Sequence, residues 1–169
     1  PYAYTNGATA TVTADAVTGA GDATLFSSVN SSGVVFFEGS AFKDGESYRA
    51  MYVIDGGSTA NQIQLTYHIV AGRLLYGMDV GGITIATDVY DGVTQTDNNK
   101  MALRWNATTI DLWVNGVELK STATGSTFPS STLSRLSLGT ASAGYNYSNT
   151  RQVAVYNYLT DAQMITLTT

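Results

Sequence analysis

The segment IDLWVNGVELK, residues 110–120, constrains the fold more strongly than any other part of the chain. Asn115-Gly116 lies at its centre, and Asn-Gly accepts the positive φ angles of the type I′ turn that suits the twist of a hairpin. The residues before this turn are apolar at every second position, which is the period of a strand with one buried face. The segment therefore predicts a β-hairpin whose first strand buries Ile110, Leu112 and Val114.

Other strand signals follow one another at short intervals along the chain. They are β-branched or aromatic stretches bounded by Gly, Asn and Asp, the residues that favour turns. Gly81-Gly82 separates two of them and predicts a second hairpin. Short strands with little helical pattern indicate an all-β, two-sheet antiparallel sandwich. The predicted strands outside the Asn-Gly hairpin are 33–42, 47–54, 62–70, 73–80, 83–89, 100–105, 133–138 and 152–158.

The closing segment LTDAQMITL carries the one helix signal. Thr160 is a favourable N-cap residue, and Gln163 lies three residues later, as a capping box requires. Asp161 would stand in the first turn, where the helix dipole favours negative charge. We expect a single short C-terminal helix over residues 161–167.

The chain has 169 residues, which predicts one domain, because domains commonly contain about 100 to 200 residues. We expect residues 1–20 to form a linker or an N-terminal edge strand, and residues 21–169 to form the sandwich. Since the chain starts at Pro1 and not at Met, we expect a processed product or a piece of a longer protein. The alternation predicts a core that contains Ile63, Leu65, Tyr67, Ile110, Leu112, Val114, Leu136, Leu138, Val153 and Val155.

Charge and composition exclude several kinds of partner. The net charge is −5, with 13 acidic and 8 basic residues, and no cluster of Lys and Arg is present. Nucleic acid and anionic membrane surfaces are therefore not expected as partners. The chain has no cysteine, which excludes disulfides, thiolate metal sites and cysteine catalysis. No apolar run is long enough to predict a membrane span.

Three stretches together carry a resemblance to a known family: SSGVVFFEGSAF, KMALRWNATTIDLWVNGVEL and the closing RQVAVYNYLTDAQMITLT. From about Leu25 to Thr169 the chain resembles the concanavalin A-like (laminin G-like) jelly-roll domains of phage tail fibres, tail spikes and related virion proteins. The resemblance implies a jelly-roll sandwich, a bacteriophage virion appendage at the particle surface, and a carbohydrate ligand used in host adhesion. A structural module for capsid decoration or fibre assembly, with other virion proteins or a homotrimer as partners, stays open as the alternative.

Residues for catalysis are not found in a catalytic pattern. Glucanases of this fold carry three carboxylates at alternate positions of one strand, which places them on one face. Glu38 and Glu118 have no acidic neighbour two residues away. Asp44 lies two residues before Glu46, but no third carboxylate continues that alternation, so no strand carries the three-carboxylate pattern. His68 is the one histidine, and it belongs to a regularly alternating stretch. We therefore expect a protein that is not an enzyme.

Aromatic residues beside polar ones are the candidates for a glycan site, because sugar rings stack on aromatic faces while amides and carboxylates bind their hydroxyls. Trp113 lies on the strand face opposite the predicted core, together with Asp111 and with Asn115 of the turn. Packing of Trp113 under a loop or a partner is the alternative, and the sequence does not decide between the two. A second candidate group is Tyr145, Asn146 and Tyr147.

The stretch TDVYDGVTQTDNN contains weaker candidates for a metal site, and no other cofactor is indicated. Calcium prefers six to eight oxygen ligands, and side chains of Asp and Asn supply them. The same residues are also common in turns, where they bind the local backbone. The calcium candidates are Asp88, Asp91 and Asp97, followed by Asn98 and Asn99.

Overall fold

The computed structural model describes residues 17–20, 26–45, 49–55, 59–138 and 148–169. Within these residues the chain forms eleven strands, a 3-10 turn at Ser27–Val29 and one α-helix, α1, at Asp161–Thr168. The strands are β1 (Val17–Ala20), β2 (Gly33–Ala41), β3 (Arg49–Asp55), β4 (Gln62–Tyr67), β5 (Arg73–Val80), β6 (Ile83–Asp91), β7 (Asn99–Trp105), β8 (Thr109–Val114), β9 (Val117–Ala123), β10 (Arg135–Leu138) and β11 (Ser148–Tyr156).

The strands form two antiparallel sheets. The six-stranded sheet has the order β1-β10-β3-β4-β5-β6, and the five-stranded sheet has the order β11-β2-β7-β8-β9. A shared hydrophobic core lies between them. The predicted all-β jelly-roll sandwich with one short C-terminal helix is therefore confirmed.

Both predicted hairpin turns are present. Asn115 and Gly116 have φ angles of 49° and 84°, and they join β8 to β9. Gly81 and Gly82 have φ angles of 61° and 81°, and they join β5 to β6. Two successive positive φ angles match the twist of the flanking strands, which explains why Asn-Gly and Gly-Gly occupy these turns.

The core agrees with the alternation in the sequence. Six of the predicted residues are fully or almost fully buried: Ile63, Leu65, Tyr67, Ile110, Leu112 and Val114. The other four are partly buried and pack against the same core: Leu136, Leu138, Val153 and Val155.

The strand predicted at 62–70 ends earlier than expected, at Tyr67. The chain then turns through residues 68–72, and Gly72 adopts a φ of 75°. Ile69 and Val70 consequently lie on the surface, 42% and 44% exposed, and do not continue the buried face. The alternation predicts a strand that is too long because apolar residues, Ile69 and Val70, continue into the turn.

At the N-terminal side, β1 is an edge strand of the six-stranded sheet. Val17 pairs with Leu138 and Ala20 pairs with Leu136, both on β10. Residues 1–16 and 21–25 lie outside the described residues, so the domain boundary at residue 21 stays a prediction.

Helix α1 covers the outer face of the five-stranded sheet, where it packs on β7 and β8. It begins at Asp161 as predicted and continues to Thr168. Gln163 Oε1 accepts hydrogen bonds from both the backbone N–H and the hydroxyl of Thr160, at 2.9 and 3.0 Å. A second, smaller hydrophobic cluster lies under the helix and contains Val34, Phe36, Ala102, Trp113 and Met164. In the described part of the chain no helix has the length and apolar character that a membrane crossing requires.

Candidate functional site

Trp113 lies on the face opposite the main core, as predicted, but α1 covers it. Its side chain packs with Phe36 and Met164 and is only 4% exposed. The guanidinium carbon of Arg104 lies 5.5 Å from the centre of the indole ring. The indole nitrogen is buried and has no hydrogen-bond partner among the described residues. The ring is thus enclosed by the helix and is not open for a sugar to stack on.

Asp111 is 3% exposed and belongs to an ion-pair network on the same face. Its carboxylate accepts hydrogen bonds from Arg104 Nε at 3.0 Å and from Ser121 Oγ at 2.6 Å. Arg104 also donates to Asp161 Oδ1 of α1 at 2.5 Å and to the carbonyl oxygen of Leu159 at 3.2 Å. Asp111 therefore holds the arginine that attaches α1 to the sheet.

Glu118 is the third acidic group beside Arg104, at 3.7 Å. Partial burial raises the pKa of the Glu118 carboxyl, the charge of Asp111 raises it further, and Arg104 lowers it. The charge of Arg104 is thus shared among three carboxylates. A glycan surface around Trp113 and Asp111 would require both side chains to be exposed. The helix covers them, and both side chains instead help to attach α1 to the sheet.

The remaining residues of the predicted glycan site are not brought to Trp113. Asn115 is exposed, and its Oδ1 accepts from the backbone N–H of Lys100 at 2.9 Å while its Nδ2 donates to Asn99 Oδ1 at 3.0 Å. Its side chain therefore faces the start of β7. Tyr145, Asn146 and Tyr147 lie outside the described residues, and their glycan-binding role stays a prediction.

The calcium candidates do not converge. Asp88 pairs with Lys120 at 3.3 Å, and Asp91 pairs with Arg73 at 2.5 Å. Among the described residues, no three acidic or histidine side chains are grouped as a metal site would need. Asn99 lies near Asp97, but its amide Nδ2 donates to the carbonyl oxygens of Thr94 and Asp97, each at 2.9 Å. The amide thus occupies oxygens that a cation in this loop would coordinate.

The side chains considered for catalysis are also engaged. His68 lies in the turn after β4, and its Nδ1 accepts from the backbone N–H of Val70 at 3.1 Å. Glu38 accepts from Asn98 Nδ2 at 2.9 Å. Glu118 faces Arg104, so His68, Glu38 and Glu118 each have a separate partner. Glu46 lies outside the described residues.

A cavity of about 300 Å³ opens where the loop between β6 and β7 meets the β8–β9 hairpin. We call this cavity the end pocket. It lies at the end of the sandwich where the two sheets separate, so residues of both sheets line it. The lining residues are Tyr90, Gly92, Val93, Thr94, Asp97, Asn99, Val114, Asn115, Val117 and Leu119.

One side of the end pocket is apolar and aromatic. Val93, Val114 and Leu119 pack against the main core, as does Tyr90, which leaves part of its ring at the pocket. Gly92 has a φ of 111°, and a Cβ at this position would lie 3.7 Å from the Tyr90 hydroxyl oxygen. That distance is an ordinary contact, so the positive φ, which favours glycine, explains the residue at position 92.

The other side supplies polar groups that the described residues do not use. Within that part of the chain, the side chains of Tyr90, Thr94 and Asp97 make no hydrogen bond or ion pair. Asn115 uses one N–H on Asn99, so its second amide hydrogen is unused. Asn99 Oδ1 likewise keeps one lone pair, since Asn115 is its partner in the described residues. Donors and acceptors thus line the pocket beside an aromatic ring.

A buried amide holds the β6–β7 loop in this shape. Gln95 is 1% exposed, and its Nε2 donates to the carbonyl oxygens of His68, Val70 and Arg73 at 3.0, 3.1 and 2.7 Å. Its Oε1 accepts from the backbone N–H of Gly45 at 3.0 Å. One side chain therefore ties three loops of the same end together, which keeps the pocket formed without a ligand.

Tyr67, whose hydroxyl lies beside Asn99 at the floor of the end pocket, is also held by hydrogen bonds. The Tyr67 hydroxyl donates to the carbonyl oxygen of Gly39 at 3.1 Å and accepts from Asn99 Nδ2 at 3.2 Å. Burial raises the pKa of Tyr67 to about 12, while the bond from Asn99 lowers it and Asp97 raises it. Asn99 therefore links the pocket rim to the core.

A second, smaller cavity of about 210 Å³ lies on the outer face of β4, β5 and β6. We call it the sheet groove. Gly77 leaves a gap between Leu75 and Asp79 on β5. Two of its polar side chains have partners beside the groove, since Asp79 Oδ2 accepts from Gln62 Nε2 at 2.6 Å and Gln64 Nε2 donates to Thr66 Oγ1 at 2.9 Å.

Sequence reasoning identifies parts of the end pocket without assembling them. Asp97, Asn99 and Asn115 are all candidates in the sequence, but for two separate sites. Tyr90 and Gly92 precede all three in the chain, without a pattern that marks a site. The pocket arises because β6 and β9 are neighbours across the two sheets, and no local pattern reports that contact.

No protein-family model matches the sequence. No curated protein matches it either. Solved structures do match the fold. The chain is similar to the Ruminococcus gnavus IT-sialidase CBM40 bound to α2,6 sialyllactose, with 16% identity over 90% of this chain and 94% of that chain, at a TM-score of 0.67.

Two further matches are parts of larger proteins. The NanB sialidase of Streptococcus pneumoniae (K499G mutant) matches with 16% identity over 90% of this chain and 26% of that chain, at a TM-score of 0.65. The receptor binding domain of a botulinum neurotoxin C/D mosaic serotype matches with 14% identity over 85% of this chain and 37% of that chain, at a TM-score of 0.63. These likenesses establish the fold.

Proposed function

We propose that the protein is a non-catalytic carbohydrate-binding domain and that the end pocket is its binding site. The observation that carries the proposal is the combination of the Tyr90 ring with the unused polar groups of Thr94, Asp97 and Asn115 in one cavity. Pockets for small polar ligands combine an apolar wall with a few oriented polar groups. A sugar ring presents both an apolar C–H face and hydroxyls, so it suits this lining.

The structural likeness supports the same ligand class. A CBM40 of similar fold is bound to sialyllactose in its solved structure. With 16% identity, the likeness transfers no site residue to this chain. It adds the fact that a sandwich of this shape binds a carbohydrate in another protein. Carbohydrate is also the ligand class that the chemistry of the pocket favours.

We further propose a bacteriophage virion appendage as the setting, where the domain adheres to a host surface glycan. The support is the sequence resemblance to tail-fibre and tail-spike domains. A shallow pocket buries little of its ligand and binds weakly as a single copy. Many copies on one particle make later contacts intramolecular, which raises retention.

Beads that carry many copies of the domain would test the binding function. The beads are exposed to a panel of neutral and acidic oligosaccharides and to surface polysaccharide from candidate host cells. Wild-type beads should retain at least one glycan, and Asn115→Gly should weaken retention, because glycine keeps the positive φ of the turn while the amide is lost. Asp79→Asn in the sheet groove is the matched control and should change nothing. Retention of no glycan by the wild type would overturn the proposal.

A structural role in virion assembly is the second candidate, and a group of exposed apolar residues favours it. Phe42 is 71% exposed on the loop after β2, and Ile69 and Val70 are exposed on the turn after β4. The two loops are joined by the bond from the backbone N–H of Gly72 to Asp44 Oδ1 at 3.0 Å. Sedimentation analysis distinguishes the roles: a stable homotrimer that Phe42→Ser dissociates would favour assembly, and a monomer at all concentrations would contradict it.

A further inference from the structure

We infer that the end pocket selects uncharged sugar units and rejects acidic ones. This inference rests on the proposed carbohydrate-binding function and adds the chemical class of the ligand. Its basis is the charge and the hydrogen-bonding character of the lining, residue by residue.

Asp97 is the only charged residue among the ten that line the end pocket. Its carboxylate is exposed at the rim and makes no ion pair with any described residue. Two basic side chains on the neighbouring strands are committed elsewhere, since Arg73 pairs with Asp91 and Lys120 pairs with Asp88. The described lining of the pocket therefore carries one negative charge and no positive one.

The hydrogen-bonding character of the lining points to the same ligand class. Asp97 and the free lone pair of Asn99 Oδ1 accept hydrogen bonds only, whereas the hydroxyls of Tyr90 and Thr94 both donate and accept. A sugar hydroxyl can donate to Asp97 or Asn99 and can also bond with Tyr90 or Thr94. A carboxylate on the ligand can accept from the pocket's uncharged donors, but it has no hydrogen for Asp97 or Asn99 to accept and it carries the same charge as Asp97.

The size of the cavity limits the ligand to a small unit. Ligand pockets range from about 300 to 1,000 Å³, and the end pocket has about 300 Å³. One terminal sugar ring is therefore the part of a glycan that the pocket encloses. Further units would extend past the exposed side chain of Val117 on the hairpin.

The inference differs from what the structural likeness alone suggests. Sialyllactose, the ligand of the CBM40 that shares the fold, carries a carboxylate. A basic side chain would favour its carboxylate, and the described lining of the end pocket contains Asp97 and no Lys, Arg or His. The fold is thus similar while the charge of this pocket favours a different sugar.

Paired glycans provide the test. Beads that carry many copies of the domain are offered neutral oligosaccharides and versions of the same oligosaccharides with a terminal sialic or uronic acid. The neutral form should be retained at least about tenfold better, because like charges oppose each other across an interface. Asp97→Asn should narrow that ratio, since the amide has nearly the same shape without the charge. Val117→Lys should narrow it too, and high salt should weaken the preference of the wild type.

Each outcome has one meaning. The inference is supported if neutral glycans are retained and if Asp97→Asn and Val117→Lys both lower the ratio of neutral to acidic retention. Asp79→Asn in the sheet groove should leave that ratio unchanged. Equal or better retention of the acidic forms overturns the inference and leaves carbohydrate binding intact. The same holds if Asp97→Asn leaves the ratio unchanged, because the pocket charge would not be the selector. Retention of neither form overturns the proposed function itself.

Discussion

The helix-covered face and the end pocket contain the same kinds of residue, but these residues have different roles in the two places. On the covered face, Trp113 stands beside Asp111, and both are nearly inaccessible under α1. In the end pocket, Tyr90 lines the same open cavity as Asp97 and Asn115. An aromatic ring next to a carboxylate is therefore a packing element in one place and an open surface in the other.

The difference between the two regions lies in how their polar groups are satisfied. Asp111 binds Arg104 and Ser121, so its charge is neutralised inside the fold. Asp97 is bonded to no described side chain and faces solvent. Buried charges require a partner, whereas exposed ones need only water. A polar group that the fold leaves unused at an open cavity is the one that a ligand can use.

The largest expected effect is on the covered face. Trp113→Ala should lower the free energy of unfolding by about 3 to 5 kcal/mol, because it removes a large buried side chain and leaves a cavity under α1. Denaturant titration measures the loss, and Val117→Ala is the control, since Val117 is exposed and should change stability by no more than about 0.5 kcal/mol. A small loss for Trp113→Ala would mean that the helix does not cover the ring in solution.

Removal of the arginine under α1 should cost about 3 kcal/mol, because Arg104→Met leaves the carboxylate of Asp111 buried without its cation. The expected loss is at the lower end of such effects, since the other partners, Asp161 and Glu118, can turn to solvent. Addition of Asp111→Asn to this variant should restore part of the stability. If the second change lowers stability further, the two residues are not coupled as the structure indicates.

Tyr67, in the floor below the end pocket, should make stability depend on alkaline pH. Its pKa is about 12 in the folded protein against an ordinary value of 10, so the folded state binds its proton more tightly than the unfolded state. That contribution is present below pH 10 and is lost as pH rises from 10 to 12, at roughly 2 to 3 kcal/mol in total. Unfolding measured across this range should show a shallower decline in Tyr67→Phe, and an identical decline would contradict the buried hydroxyl.

The two regions also differ in how much of them can be predicted from the sequence. The β8–β9 hairpin, the capping box at Thr160 and the alternation of Ile63 and Leu65 are local patterns, and local patterns predict the elements and the core face. The position of Trp113 depends on a helix that begins at Asp161, far along the chain. No local pattern encodes which side of the sheet that helix will cover.

Arg104 is the clearest residue that the sequence leaves unmarked. In KMALRW it reads as an ordinary strand residue, yet it joins β7, β8 and α1 through bonds to Asp111 and Asp161. The end pocket has the same origin, because it needs residues on both sides of the gap between the sheets. Strand order and sheet packing decide such sites, and they follow from the whole fold.

A smaller loss is expected at the start of α1. Thr160→Ala should lower stability by about 1 kcal/mol, because it removes the capping hydroxyl, while the backbone N–H of residue 160 can still donate to Gln163 Oε1. Thr166→Ala, in the exposed middle of the same helix, is the control and should be neutral or slightly stabilising, since alanine has the higher helix propensity. Equal effects at the two positions would show that Thr160 is not the cap.

The smallest expected effect on stability is at the end pocket. Tyr90→Phe removes only a hydroxyl that has no partner in the described residues, so stability should change by no more than about 0.5 kcal/mol. Glycan retention on multivalent beads should nevertheless fall, because the hydroxyl is one of the few groups in the pocket that both donates and accepts. Unchanged stability with reduced retention would show that the Tyr90 hydroxyl serves binding, in contrast to Trp113 on the covered face, which contributes to folding. Unchanged retention would remove the Tyr90 hydroxyl from the site, and a clear loss of stability would mean that the tyrosine, like Trp113, serves the core.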